Sequence, residues 1–173
     1  SFFVLGKEFD LTIEKANKKN TFKIIKENAN QTKIDFENKN ENVSPEKSIL
    51  IAKCFDKINK KKLFLFLRKS FSKEFIEKVN LINEKHFHEE INEIKIGFAS
   101  KRLGSCNKSK RKLMFSINLF LMPESAINYV IAHELEHLSQ MNHKKIFWNE
   151  LEQKFPSYKE GKTWLKSNKT SLF

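Results

Sequence analysis

Near the front of the chain apolar and polar residues alternate in three short stretches, around residues 9–13, 22–25 and 32–36, with Asn- and Lys-rich turns between them. Alternation at period two puts successive side chains on opposite faces of a strand, so residues 1–43 read as an antiparallel β meander. Ser44 and Pro45 then read as a helix start, Ser44 as cap and Pro45 in the first helical position. Apolar positions recur at helical spacing, with interruptions, through Phe71, Phe75 and Val79 to about Ile82, and residues 44–90 read as a helical region ending in a polar stretch around His86 and His88. Ile94, Ile96 and Phe98, then Leu113, Phe115 and Ile117, alternate as two strands flanking a loop. Beyond them Pro123 and Glu124 suit a first helical turn. Ala126, Ile127, Val130, Ile131, Leu135 and Leu138 follow as one apolar stripe that would bury this helix in a core. Ile146, Phe147, Leu151 and Phe155 form a second amphipathic helix, closed by Pro156. The pattern predicts an α+β fold of antiparallel β elements, one long helix and a buried helix near the C-terminus.

Composition adds limits. With 173 residues, 39% hydrophobic content and 17 Phe, the chain carries enough apolar material for one substantial core, and residues 1–173 are expected to form a single domain. The longest uninterrupted apolar run, from Leu63 to Leu67, is far too short to cross a membrane. Residues 1–6 are apolar but lack a basic leading region and a cleavage site, so they are not read as a signal peptide. Two cysteines, Cys54 and Cys106, give no disulfide framework and fit a reducing cytoplasm. Cys54 reads as part of an apolar helix face with Ile51, Phe55 and Ile58.

The net charge of +12 is concentrated. Lys101, Arg102, Lys108, Lys110, Arg111 and Lys112 crowd one loop, whereas residues 123–173 are nearly neutral. Such a loop attracts anions, and a weak nucleic-acid contact through residues 101–112 is one expectation, set against a solvated Lys-rich surface.

Chemistry enters at His133-Glu134-x-x-His137, with His143 six positions on. Residues i and i+4 share a helix face, so His133 and His137 can address one metal while Glu134 flanks the open coordination position. Zinc takes neutral imidazole nitrogens in a tetrahedron, and a catalytic site leaves one corner to water. Six residues advance a helix by about 600°, so His143 reaches the same metal only if the helix stops first. Asn142 reads as that stop, in the left-handed conformation, with a turn at Met141 and Asn142. Glu150 and Glu160 stand as rival third ligands, although the spacing favours His143. Glu136, between the paired histidines, reads as facing water. His86 and His88, two apart, share no helix face and read as exposed loop residues.

Several blocks together carry a resemblance: Leu5-Gly6-Lys7-Glu8-Phe9, Arg102-Leu103-Gly104-Ser105-Cys106, Phe115 through Phe120, Ile127 through Leu138, Asn142-His143, Phe147-Trp148, Pro156-Ser157-Tyr158 and Trp164-Leu165. The chain resembles the YgjP-like metallopeptidase-domain family and, more distantly, the SprT-like proteases. Leu103 departs from the Trp usual in that family, and Glu136 stands where a small or thiol-bearing residue is common. The resemblance implies a zincin-like fold with residues 91–173 as the zinc-site core. It implies zinc on His133, His137 and His143, with Glu134 as catalytic base and a peptide or protein substrate. Zinc on those ligands would lower the pKa of a bound water whose proton Glu134 takes. A metal-dependent nucleotide pyrophosphatase is the runner-up, disfavoured because magnesium-held phosphate chemistry calls for several carboxylates. A binding module with structural zinc would need a fourth protein ligand, for which Cys106 is the candidate.

Overall fold

A computed structural model describes residues 2–5, 7–9, 11–14, 21–26, 48–53, 60–99 and 102–172. The expected strand at 32–36, the helix start at Ser44 and Pro45, and the residues Cys54 and Lys101 lie outside them.

Strands β1 (Phe2–Val4) and β2 (Lys7–Phe9) form an antiparallel hairpin. The turn between them holds Leu5 at φ 52°, buried, with its N–H donated to the Phe120 carbonyl at 2.8 Å. β3 (Leu11–Glu14), β4 (Thr21–Lys26) and β5 (Ser48–Lys53) make a sheet of order β3-β5-β4, in which β5 runs parallel to β3 and antiparallel to β4. Two expectations are corrected here. A meander would pair β3 with β4 directly, and residues 48–53 were assigned to the helical region. A short apolar run such as Ile49-Leu50-Ile51-Ala52 suits a central strand as well as a helical turn, and periodicity does not separate the two.

The long helix is α1 (Lys60–Ile82), followed by a wider π-helical turn over Asn83–Phe87. His88 ends that turn at φ 56° and is exposed, as expected. His86 is instead half-buried, edge-on to Phe155 at 5.1 Å. β6 (Glu93–Gly97), β7 (Gly104–Asn107) and β8 (Lys112–Ser116) form a sheet of order β6-β8-β7. β6 and β8 are parallel, so the sheets are mixed and not purely antiparallel. Alternation records which face a side chain takes and says nothing about the neighbour's direction. β7, read from the sequence as loop, pairs antiparallel with β8 and lies against the next helix.

A 3-10 segment (Ile117–Leu121) leads into α2 (Glu124–Glu136), and α3 (Lys145–Lys154) and α4 (Tyr158–Leu172) complete the described elements. The whole apolar stripe predicted for α2 is buried. Six such side chains contribute roughly 10 kcal/mol, far more than an isolated helix of this length can supply by itself. In α3 the stripe holds at Phe147 and Leu151, while Ile146 is exposed and Trp148 is half-buried in its place. Phe75 of α1 ties the layers together, its ring 5.2 Å from both Phe115 and Phe120. Helix α4 crosses α2 at Gly161, where a Cβ would collide with the Ser125 carbonyl and come within 2.6 Å of the Tyr129 Cβ. Only glycine allows that approach. Among the described residues no helix is long and apolar enough to cross a membrane.

Candidate metal centre

Helix α2 delivers His133 from its last turn and His137 from its C-terminal cap, still in right-handed helical conformation. The chain then turns at once. Leu138 and Ser139 N–H groups bond three residues back, to Leu135 and Glu136, and Gln140 N–H reaches the Glu136 carbonyl at 2.8 Å. The helix therefore stops before Asn142, and Asn142 is not left-handed, contrary to expectation. The shorter helix leaves residues 138–144 free to return the chain, and His143 arrives beside the other two imidazoles.

One nitrogen from each of the three histidines lies within 4.8 Å of the others. His133 Nε2 is 3.2 Å from His137 Nε2 and 2.9 Å from His143 Nε2. Nitrogens bound at zinc–imidazole distance to one tetrahedral ion are about 3.3 Å apart, so the spacing fits. His137 Nδ1 lies 2.9 Å from the Gln140 carbonyl oxygen, to which it must donate, and this leaves the Nε2 lone pair facing the cluster. Burial, then its neighbours His137 and His143, push His133 down to about 3, so its ring is neutral throughout the physiological range. Burial also lowers His137, against the raising effect of its bond to Gln140. Neutral rings are the form a metal binds. Three lone pairs turned on one another cannot all be satisfied by mutual hydrogen bonds, whereas one cation takes one from each.

The cluster has an aromatic floor that sequence reasoning assigned only to the core. Phe147 is fully buried, with its ring 5.1, 4.8 and 4.9 Å from those of His133, His137 and His143. Tyr129 closes one side at 5.7 Å from His133, and Trp148 stacks on His143 at 5.8 Å. His133 Nδ1 is buried without a hydrogen-bond partner among the described residues, so that ring is held by packing. His143 is exposed, which leaves the cluster open on its side.

Glu134 is buried beneath β7, and burial pushes its carboxyl up to about 7 against the opposing charge of Arg102. Gly104 makes room for it: a Cβ there would stand 2.6 Å from the Glu134 Cγ and Oε1. The Ser116 N–H donates to the Leu103 carbonyl at 2.8 Å, while the Ser116 hydroxyl and the Asn118 amide both donate to Ala99. These bonds brace the approach to Gly104. Neither the glycine nor its bracing was identified from the sequence, because the contact joins segments thirty residues apart.

Other candidates fall elsewhere. Glu136 is fully buried, not in water, with Oε2 2.9 Å from Lys154 Nζ. Glu150 accepts from Gln140 at 3.3 Å and faces Lys154, and Glu160 is exposed. Burial raises the Cys106 thiol to about 11, the form least able to bind a metal. Among the described residues neither cysteine nor carboxylate joins the three histidines. The basic loop is largely engaged within the molecule. Lys108 donates to the Ser139 carbonyl at 2.5 Å, Lys112 pairs with Glu93 at 2.6 Å, and Arg111 binds Glu89, Glu90 and Leu138.

The family described as YgjP-like, metallopeptidase domain, matches this chain over residues 1–168. The crystal structure of the metallopeptidase zymogen abylysin from Pyrococcus abyssi aligns with a TM-score of 0.48 and 17% sequence identity, covering 54% of this chain and 93% of that one. No curated protein matches.

Proposed function

We propose that this chain, which belongs to the YgjP-like metallopeptidase-domain family, is a zinc-dependent peptidase in which His133, His137 and His143 hold the metal and Glu134 is the general base. The observation that carries this reading is the convergence of three imidazole nitrogens, with a buried carboxyl group one residue along the helix from His133. A zinc ion held there would supply Lewis acidity toward a peptide carbonyl and make water nucleophilic near neutral pH. Glu134 takes the proton of the attacking water and passes it to the leaving amine. Gly104 keeps the carboxyl group in place, Phe147 seals the floor, and substrate enters on the exposed His143 side. The substrate is a peptide or protein, the reaction is placed in the cytoplasm, and the domain extends over residues 1–173.

Glu134→Gln separates holding the metal from using it. Zinc stoichiometry is expected to stay near one per chain while turnover of a peptide library, read by mass spectrometry, disappears. Turnover equal to wild type would eliminate Glu134 as the base, and a protein that binds no zinc would remove the peptidase reading altogether.

A further inference from the structure

The close approach of α4 to α2 at Gly161 has a consequence one residue later. Lys162 extends over the indole of Trp148, its Nζ 3.5 Å from the ring centroid and 5.7 Å from that of Tyr158. Trp148 and Tyr158 are themselves stacked at 6.1 Å. Trp148 also meets Phe147 edge-on at 5.0 Å and the metal-site histidines, with His143 stacked at 5.8 Å and His133 at 6.0 Å. One aromatic ring thus separates the ammonium group from the imidazole cluster, and the Lys162 charge is among the influences that lower His133.

Two lysines on the same two helices have carboxylates: Lys154 has Glu136 and Glu150, and Lys159 has Glu152. Lys162 is exposed and has none among the described residues. An ammonium group carries three donors, and an aromatic face engages only the side turned toward it. The indole therefore fixes the cation beside the cluster while leaving donors for an incoming acceptor. A dication held by the histidines, on the far side of the indole, would add to the Lys162 charge in favouring an anion over a neutral or basic group.

We infer that Lys162, seated on Trp148, forms a subsite that receives a carboxylate of the peptide substrate beside the scissile bond. The inference rests on the zinc-peptidase reading for its substrate class. The carboxylate can belong to an acidic side chain or to the C-terminus of a peptide, and the two are distinguished by experiment.

The test measures binding, in the full chain carrying Trp164→Phe so that Trp148 fluorescence reports alone, with and without zinc. The probes are N-acetylglutamate amide, its uncharged isostere N-acetylglutamine amide, and N-acetylglutamine with a free α-carboxylate. Either carboxylate is expected to bind at least tenfold more tightly than the uncharged isostere. Lys162→Met, which keeps the aliphatic stem over the indole, should abolish that preference, and Lys162→Arg should restore it. Preference for the side-chain probe identifies an acidic residue as the occupant, and preference for the α-carboxylate identifies a chain end. Equal binding of all three probes, or a preference that survives in Lys162→Met, overturns the subsite. Zinc stoichiometry and the Glu134→Gln assay are scored separately, so failure of the peptidase reading leaves this binding result distinct.

Discussion

In the proposed reaction Glu134 collects a proton from water, which works only if its carboxyl group cannot swing away, and Gly104 limits where it can go. The obstructing atoms for any larger residue are the end of the Glu134 side chain itself, so Gly104→Ala is expected to move the carboxyl group more than it disturbs the fold. Zinc content should remain at the wild-type level while kcat falls about 10- to 100-fold, the effect of misplacing a catalytic group by about an ångström. Wild-type kcat in steady-state assays of Gly104→Ala would show that the contact has no catalytic role. The difference between the paired histidines and Gly104 explains what was legible at this scale. The meeting of His133 and His137 was readable because helix geometry converts an i, i+4 spacing into a shared face. Gly104 functions by leaving space for a residue thirty positions away, and no local pattern records that. Glu136 was misread for the same reason, since its lysine partner lies eighteen residues downstream.

Two clamps hold the elements around the centre. Arg111, at φ 51°, donates to the Leu138 carbonyl at 3.2 Å and to the Glu90 carbonyl at 2.8 Å, and pairs with Glu89, which also accepts from Ser139. The turn that ends α2 is thereby joined to the β7–β8 connection and to the segment after α1. Burial alone would raise Glu89, but the bonds from Ser139 and Arg111 outweigh it and hold the carboxyl group below its usual range. A depressed carboxylate contributes stability above the ordinary value near 4.5 and loses it as pH falls through the folded-state value. Glu89→Gln should therefore cost about 1–2 kcal/mol in urea unfolding at pH 7, with the gap from wild type closing as pH drops below about 4. A gap constant down to pH 3.5 would show that charge is not what Glu89 supplies. The second clamp is Lys154 of α3 on the fully buried Glu136 of α2. Lys154→Met should destabilise by about 3 kcal/mol, because the buried Glu136 carboxyl, which burial already raises to about 7, loses the cation that holds it. Adding Glu136→Gln should recover much of that loss. If the double variant is no more stable than the single, the two residues do not act as a pair. Element type was legible wherever apolar spacing persisted, as in α1, α2 and α3. Strand pairing was not, because β3 and β6 each pair in parallel with a strand that is not the next one in the chain, and alternation does not encode which strand is the neighbour.

At the scale of the whole molecule, the three histidines come from two structural pieces, α2 with its cap and the returning segment before α3, so a metal bound among them would join parts of the chain that otherwise meet through packing. The family and the α+β class were both readable from ordered blocks along the chain, whereas this coupling depends on where the α2 helix stops, which the residues around Asn142 did not reveal. A ligand that binds only the folded state stabilises it by about 2.7 kcal/mol at 100 times its Kd. For a chain of this size that corresponds to a rise in Tm of roughly 5–10 °C. Chelation should lower the Tm of wild type by that amount, and added zinc should restore it. His143→Ala should lose most of the zinc-dependent shift. Glu150→Ala discriminates further, because Glu150 contacts Gln140, Lys154 and Glu136 and not the cluster: its zinc-dependent shift should stay at the wild-type size. Glu160→Ala, altering an exposed residue, should leave that shift unchanged too. A zinc-dependent shift that survives in His143→Ala and disappears in Glu150→Ala or Glu160→Ala would transfer the third ligand to a glutamate, leaving His133, Glu134 and His137 in the roles their helix gives them.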